Sequence, residues 1–358
     1  MSAATAVSPT ALRPRAASVH PLLWLGWLAL LLAWLLATRN PLYLALLLLC
    51  LALVEAALPT RHDQALPISP WRMALFIVPF SALFNALVTP IGERVLFRWP
   101  AWLPILQGPV TAEAVVFGAS NGLVLVGMIA AFTCFVRALS THELIRLMPR
   151  AFQPVAVTAA LALTFVPSTI RHFQQIREAQ AVRGHRLRGI RDWLPLLIPL
   201  LIGGMERAYQ LAEAMTARGF ASQSQPLMLR DRAALLLALL AIATGWIADA
   251  AWIGAAWGAP LALVGLALLL ALLWSVGQRV PQSQYRRHAW QPADLFWFML
   301  LALAALPVLP LSLLPRNSLV YTPYPQLTWP PFDIRLALLM MFVLLPIAWR
   351  AAKGGRVR

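Results

Sequence analysis

The chain has 358 residues, of which 60% are hydrophobic and 12% are charged, and its mean hydropathy is +0.72. Soluble domains carry about twice that charged share, so a chain this apolar cannot bury its hydrophobic surface in one water-facing core. The composition excludes an ordinary soluble domain and predicts an integral membrane protein.

The formal net charge of +16 comes almost entirely from arginine, because Lys353 is the only lysine. In a soluble protein this balance would indicate nucleic-acid binding. Here the basic residues lie between hydrophobic runs, which favours a membrane-orientation signal over a nucleic-acid partner. A P-loop needs a lysine followed by serine or threonine, whereas Lys353 precedes Gly354. The chain therefore has no P-loop, and any ATP used with it binds to another subunit.

Eight hydrophobic runs are near the length of about 20 residues that a membrane helix needs. The predicted spans are 21–38, 41–58, 73–91, 112–136, 233–252, 257–277, 293–314 and 334–349. No A-x-A cleavage site follows the first run, so we expect it to remain as an uncleaved span. The sequence thus predicts an all-α integral membrane protein with about eight transmembrane helices and a different, arginine-rich region in its centre.

Five segments follow from this pattern. They are an N-terminal tail over 1–20, N-terminal membrane helices over 21–138, the central region over 139–232, C-terminal membrane helices over 233–350, and a C-terminal tail over 351–358. With the N-terminus inside, most of the 29 basic residues fall on the cytoplasmic side. The exceptions are Arg39, Arg94, Arg98, Arg316 and Arg335. The positive-inside bias therefore predicts that both termini and the central region are cytoplasmic.

Three helices are predicted in the central region. A short one lies in 140–150, with Ser140 or Thr141 as its cap and Glu143 in its first turn. The second helix extends to Arg183, and the third runs from Trp193 to Arg218. Each of these two longer helices begins apolar and ends polar.

Both longer helices end on the phrase E-A-x-x-x-R-G, once over 178–184 and again over 213–219. Arginine in a last turn followed by glycine is an ordinary helix cap, and we assign a third Arg-Gly at 188–189 to capping alone. Capping does not require a matched Glu-Ala upstream on two similarly built helices. Small residues allow another surface to approach closely, and an exposed guanidinium suits a carboxylate or free carbonyls. The repeated phrase therefore predicts two docking tips.

In these features the chain resembles the transmembrane T component of energy-coupling factor (ECF) transporters, the CbiQ-like family. That family carries two Ala-Arg-Gly motifs at the tips of two long coupling helices. Ala217-Arg218-Gly219 matches fully, and Val182-Arg183-Gly184 matches with valine in place of alanine. The stretches 161–184 and 205–220 resemble the second and third coupling helices, and 39–49 is similar to an early membrane segment. The helices after about residue 257 exceed the family pattern.

The resemblance implies a non-catalytic scaffold in a prokaryotic plasma membrane. It would link two ABC-type ATPase subunits to a small membrane S component that binds a vitamin or a metal ion. ATP would be used by the ATPases, and this chain would bind no cofactor or metal of its own. The implied ATPase-coupling residues, with Glu178 and Glu213 in support, are Ala179, Val182, Arg183, Gly184, Ala214, Ala217, Arg218 and Gly219.

Two alternatives have weaker support in the residues. An intramembrane enzyme would need a motif such as H-E-x-x-H, which the chain lacks, and its 13 acidic residues are scattered. An ion-coupled secondary transporter would need a charge inside the membrane, whereas Glu55, Glu113 and Asp249 lie near predicted span ends. Cys50 and Cys134 lie within apolar runs, which is typical of small core residues rather than of a disulfide or metal site.

Overall fold

A computed structural model describes residues 20–58, 69–98, 109–184, 189–220, 228–251, 257–279, 290–308 and 318–354. Helices dominate these residues. They are α1 (Pro21–Ala37), α2 (Pro41–Ala57), α3 (Pro70–Val88), α4 (Ala112–Ala138), α5 (Thr141–Arg146), α6 (Gln153–Val182), α7 (Leu194–Ala217), α8 (Leu229–Ala251), α9 (Gly258–Arg279), α10 (Pro292–Ala305), α11 (Ile334–Met340) and α12 (Leu345–Gly354). The predicted all-α membrane class is confirmed.

Six helices in the described ranges are long and apolar enough to cross a membrane. They are Pro70–Val88, Ala112–Ala138, Arg150–Val182, Leu229–Ala248, Pro260–Arg279 and Ile334–Ala352. Three further apolar helices, α1, α2 and α10, are shorter. Each of the eight predicted spans overlaps a helix. The Arg150–Val182 helix also qualifies as a span by length and hydropathy, although it belongs to the central region.

A polar residue followed by proline marks the start of four of the membrane helices. These pairs are His20-Pro21, Asn40-Pro41, Ser69-Pro70 and Gln291-Pro292. Proline suits the first helical position because that position has no intrahelical use for an N–H group. At α2 the Asn40 side chain also accepts a 3.0 Å hydrogen bond from the Leu42 amide, so the helix begins on a satisfied cap.

Two helices differ from the predicted spans because of proline. The run predicted over 293–314 forms a helix that ends at Ala305, shortly before Pro307, because proline has no N–H group with which to continue the helical hydrogen bonds. The last span is broken by a 3-10 turn over Met341–Leu344. Pro346 follows that turn and cannot donate to an α-helical hydrogen bond.

The chain divides into two compact units. Unit 1 comprises Met1–Glu143 and His288–Arg358, and unit 2 comprises Leu144–Arg287. In unit 1, α3 and α4 pack with their backbones in close contact, because a Cβ atom on Gly118 would lie 2.5 Å from the Ser81 carbonyl oxygen. Small residues permit such contact in membrane helices. The Ser81 hydroxyl donates to the Gly118 carbonyl at 2.8 Å.

A segment without helix or strand over 318–333, here called the strap, follows α10 in unit 1. The Thr38 hydroxyl and the Arg39 amide both donate to the Leu319 carbonyl, each at 3.2 Å. The Asp333 amide donates to the Tyr43 hydroxyl at 2.6 Å. The strap is thereby fixed at both ends to the corner between α1 and α2.

The chain after the strap packs back onto the first two helices. The indole of Trp27 donates to the Val343 carbonyl at 2.8 Å, and the rings of Trp24 and Trp349 meet edge to face at 5.1 Å. The Arg350 guanidinium donates to the Ala57 carbonyl at 2.7 Å. Residues far apart in sequence therefore share the core of unit 1.

A short hairpin is the exception to the helical pattern in unit 1. Strand β1 (Val95–Arg98) pairs antiparallel with β2 (Pro109–Thr111). The buried Glu113, in the first turn of α4, accepts hydrogen bonds of 3.2 and 3.3 Å from the Arg94 amide. Negative charge is favourable at a helix N-terminus, so this carboxylate suits the place where the hairpin meets α4.

In unit 2, α8 and α9 form an antiparallel pair built on small residues. A Cβ atom on Gly245 would lie 2.6 Å from the Ala262 nitrogen, and one on Gly265 would lie 2.8 Å from the Ile242 nitrogen. The ion pair between Arg279 and Asp231, at 2.6 Å, joins the end of α9 to the start of α8. Their remaining apolar surface is largely exposed, as expected for helices in lipid.

Candidate coupling site at two helix ends

The two long helices of the central region form where the sequence predicts them. The helix predicted to end at Arg183 is α6, which ends at Val182, and the helix predicted over 193–218 is α7, Leu194–Ala217. At about 1.5 Å per residue, α6 is about 45 Å long and α7 about 36 Å. The short helix before them is capped as predicted, since Ser140 and Glu143 bond each other's amides at 2.9 and 3.3 Å.

Both helices end with the same local geometry. Arg183 has φ −78° and ψ 7°, and Arg218 has φ −86° and ψ 6°. The following glycines have φ +81° at Gly184 and +76° at Gly219. These are left-handed conformations that glycine adopts without steric cost. The glycine amides donate to the carbonyls of Ala181 and Thr216 at 3.0 and 2.9 Å. The conformational role of each glycine is therefore a helix cap.

The arginines themselves are exposed at these ends. Within the described ranges, neither the Arg183 nor the Arg218 guanidinium makes an ion pair or a hydrogen bond. Val182, beside the first of them, is 89% exposed. Each positive charge lies next to the negative end of its own helix dipole, which is favourable, while its hydrogen-bond donors stay available to another molecule.

The other predicted site residues surround these arginines on the surface. Glu178 and Ala179 are exposed on the last turns of α6, and Glu213, Ala214 and Ala217 are exposed on those of α7. The predicted residues thus form two separate clusters, one at each helix end, here called tip 1 (residues 178–184) and tip 2 (residues 213–219). The third Arg-Gly falls partly outside the described residues, since 185–188 are not among them.

A contact between α6 and α7 was not predicted from the sequence. The Arg207 Nη1 atom donates to the Ser168 hydroxyl at 3.2 Å, and a Cβ atom on Gly203 would lie 3.1 Å from the His172 Nε2 atom. The available signal was a Gly-Gly pair followed by an arginine where α7 changes from apolar to polar. We call this contact the crossing, defined by Ser168, His172, Gly203 and Arg207.

The described residues give little support for a metal site or for thiol chemistry. No group of three or more His, Cys, Asp or Glu side chains in those ranges is arranged to hold a metal ion. Cys50 and Cys134 are buried, free thiols, as expected for small core residues. The tips are the remaining feature in which charge, exposure and repetition coincide.

Comparison with known proteins identifies the family of this chain. Residues 13–228 match the family model of CbiQ, described as cobalt transport protein. The chain is 31% identical over 197 residues to the energy-coupling factor transporter transmembrane protein EcfT of Heliobacterium modesticaldum, covering 52% of this chain and 71% of the relative. It is 29% identical over 185 residues to EcfT of Exiguobacterium sibiricum, covering 47% of this chain and 66% of the relative.

A third relative, EcfT of Leuconostoc gelidum subsp. gasicomitatum, is 30% identical over 156 residues, which are 40% of this chain and 58% of that protein. The chain thus spans roughly two thirds of the length of these relatives, and the family match includes both tips and the crossing. The matched region ends just before α8. The chain belongs to the CbiQ family and is a transmembrane T component of the energy-coupling factor type.

Proposed function

We propose that this chain is the scaffold of an ECF-type importer that transmits ATP-driven movement from two ABC-type ATPase subunits to a small membrane S component. The S component would carry a vitamin or a metal ion across the membrane. The observation that carries the proposal is the duplicated tip: two neighbouring helices of a CbiQ-family chain end in exposed arginines with the same cap geometry.

The chemistry of the tips suits docking into a groove on a soluble partner. A guanidinium is a planar fork of donors that can bond a carboxylate or backbone carbonyls. Ala179 and Ala214 are small and exposed next to the arginines, so a partner surface can approach the helix closely. Two tips provide one site for each of two ATPases, and because the chain lacks a P-loop, ATP binding and hydrolysis belong to those partners.

The apolar half of α7 suits a membrane partner. Leu197, Ile198, Leu201, Ile202 and Met205 are between 41% and 64% exposed. The apolar stretch from Leu194 to Met205 is about 18 Å long, which is shorter than the hydrocarbon core of about 30 Å. A stretch this short does not cross the membrane alone. The S component would provide an apolar surface on which it packs.

The orientation proposed for the chain places the tips in the cytoplasm, with both termini on that side of the plasma membrane. The positive-inside bias of the basic residues supports this orientation. The ATPases would then meet the tips where ATP is available.

An ion-coupled carrier is the second candidate, and the positions of the charges favour the scaffold over it. Glu55 lies in the last turn of α2, where it pairs with Arg137 at 2.8 Å. Asp231 lies in the first turn of α8 and Asp294 in the first turn of α10. A carrier that moves protons or sodium ions uses ionisable groups within the membrane, whereas these groups lie at helix ends.

The test is a charge reversal at the tips in the complete complex. We expect the double variant Arg183→Glu with Arg218→Glu to lose both ATPases on co-purification and to reduce substrate uptake at least about a hundredfold. Like charges that face each other at a docked site cost several kcal/mol. Arg177→Glu is the matched control, because Arg177 is exposed on the same helix outside tip 1. Retained ATPases with normal uptake in the double variant would contradict the proposal, and uptake by the chain alone on an ion gradient would favour the carrier.

A further inference from the structure

The crossing is a directional contact between α6 and α7. Arg207 spans it, with its Nη1 atom donating to the Ser168 hydroxyl at 3.2 Å and its Nε atom donating to the Gly203 carbonyl of its own helix at 2.9 Å. Gly203 brings α7 close to α6, because a Cβ atom there would lie only 3.1 Å from the His172 Nε2 atom. The guanidinium is thus oriented by one helix and bonded to the other.

The same contact is a poor way to gain stability. Arg207 is half-buried, and its Nη2 atom is buried without a hydrogen-bond partner in the described ranges. Removing charged donors from water without full compensation is costly, and an apolar side chain of similar length would fill this place at less cost. What the guanidinium adds is direction, because a hydrogen bond weakens steeply when its angle changes.

On α7 the crossing lies where the apolar half ends and the half that leads to tip 2 begins, and on α6 it precedes tip 1. Along α7, Arg207 precedes Arg218 by about 16 Å, and along α6, Ser168 precedes Arg183 by about 22 Å. Phe173 lies between Ser168 and tip 1 on α6, and its ring stacks on that of Trp193, just before α7, with centroids 6.3 Å apart. A displacement of either tip therefore reaches the apolar half of α7 through helices whose mutual angle is set at the crossing.

We propose that Arg207 is a positioning residue that fixes the angle between α6 and α7, so that displacement of the two tips moves the apolar half of α7 instead of opening the crossing. This role rests on the proposed function of the tips. It assigns Arg207 no contact with ATP or with the transported substrate. Loss of the Arg207–Ser168 hydrogen bond would leave both tips intact and uncouple their movement from that of the apolar half of α7.

The test separates docking from coupling in proteoliposomes that hold the complete complex. Arg207→Met removes the donors and keeps an apolar stem, Ser168→Ala removes the acceptor, and Arg207→Lys keeps one donor on a stem of similar length. We expect Arg207→Met and Ser168→Ala to retain both ATPases and to hydrolyse ATP, while uptake per ATP hydrolysed falls about tenfold. Arg207→Lys should restore most of that ratio, and the Met/Ala double variant should be no worse than either single variant.

A distance measurement provides a readout independent of transport. Spin labels at positions 175 and 210, both exposed and outside the tips, should give one narrow distance distribution in the parent protein and a broader one in Arg207→Met. Gly203→Ala should broaden it too, because the added methyl presses on His172. Gly204→Ala is the matched control, since a Cβ atom at Gly204 meets nothing within 4 Å.

The outcomes distinguish this inference from the function on which it rests. If the tip reversals leave ATPase binding intact, the proposed function fails and the role of Arg207 fails with it. If the tip reversals release the ATPases but Arg207→Met and Ser168→Ala keep a normal uptake ratio and a narrow distance distribution, the role of Arg207 alone is overturned. Loss of the ATPases in Ser168→Ala would also overturn it, because the crossing would then serve docking. Should Arg207→Met fail to fold, Ser168→Ala tests the same hydrogen bond.

Discussion

Asn40 joins two parts of unit 1 that are far apart in the sequence. Its side-chain oxygen caps α2 by accepting from the Leu42 amide at 3.0 Å. Its side-chain nitrogen donates to the carbonyls of Ser318 at 3.1 Å and Pro331 at 2.6 Å. The residue is fully buried, so water cannot readily replace the partner of a group whose hydrogen bond is broken. One amide therefore fixes both a helix start and the two ends of the strap.

Replacing Asn40 separates these two roles. Asn40→Ala should lower the melting temperature of the detergent-solubilised protein by several degrees, because each buried group left unpaired costs about 1–3 kcal/mol. Asn40→Asp keeps an equally good cap but replaces the two donors with an acceptor that faces carbonyls. We expect it to destabilise the protein at least as much as Asn40→Ala. If Asn40→Asp melts like the parent, capping alone explains the residue and the strap is anchored elsewhere.

The tip residues show how far sequence reasoning reached at this scale. The repeated phrase predicted that Arg183 and Arg218 end two helices, and both do so on a left-handed glycine. The pattern is local, since a cap depends only on neighbouring backbone atoms. Their role in coupling stays a prediction. Arg207 was not predicted, because its partner Ser168 lies on another helix and no local pattern relates the two residues.

At the scale of elements, the packing of α3 on α4 depends on two glycines of α4. A Cβ atom on Gly122 would lie 2.9 Å from the Val78 Cα atom, and one on Gly118 would meet the Ser81 carbonyl oxygen at 2.5 Å. The Asn85 side chain also donates to the Ala114 carbonyl at 2.6 Å. Between apolar helices in lipid, this close contact and these hydrogen bonds replace the hydrophobic effect as the source of association.

A matched pair of substitutions tests that packing. Gly118→Ala should destabilise unit 1 by about 1–3 kcal/mol, because the added methyl forces two backbones apart. Gly26→Ala makes the same chemical change in α1, where the new Cβ atom would meet Leu301 at an ordinary 3.7 Å. There the gain in helix propensity should leave stability unchanged or slightly raised. Thermal unfolding of the two variants should therefore diverge, and equal effects would contradict the close-contact interpretation.

Helix positions could be predicted from hydrophobic runs because length and apolarity are local properties. Helices α1 and α2, which both start at a proline after a polar residue, agree with the predicted spans to within one residue at each end. The early end of α10 and the break before α12 were not predicted, because the apolar runs continue through Pro307 and Pro346. Hydropathy favours a span there, whereas backbone geometry ends or breaks the helix.

At the scale of the molecule, the C-terminal part completes the N-terminal membrane unit. The strap and the helices after it contact Trp27, Asn40 and Tyr43, and Trp349 is fully buried. The strap and the helices after it lie beyond the family match, which ends at residue 228. Unit 1 thus contains a segment additional to the matched region of the chain, and its core includes side chains from both.

A truncation after Arg287 tests this arrangement. It removes His288–Arg358, the C-terminal part of unit 1, and leaves the whole of Leu144–Arg287, which is unit 2. We expect the shortened chain to aggregate or to melt well below the parent in detergent, because Trp24, Trp27 and the Asn40 amide lose their partners. Supplying residues 288–358 as a second polypeptide should restore part of the stability. A truncated chain as stable as the parent would show that the C-terminal part is dispensable for unit 1.

The sequence by itself determined the membrane class, the approximate positions of the helices, the absence of a P-loop and the placement of two arginines at helix ends. All of these depend on composition, periodicity or neighbouring residues. Only the tertiary structure decided that the strap binds Asn40, that Gly118 allows α3 and α4 to touch, and that Arg207 bonds Ser168 across the crossing. These contacts join residues that are distant in sequence, and they require side chains and backbones to meet at distances that no local pattern specifies.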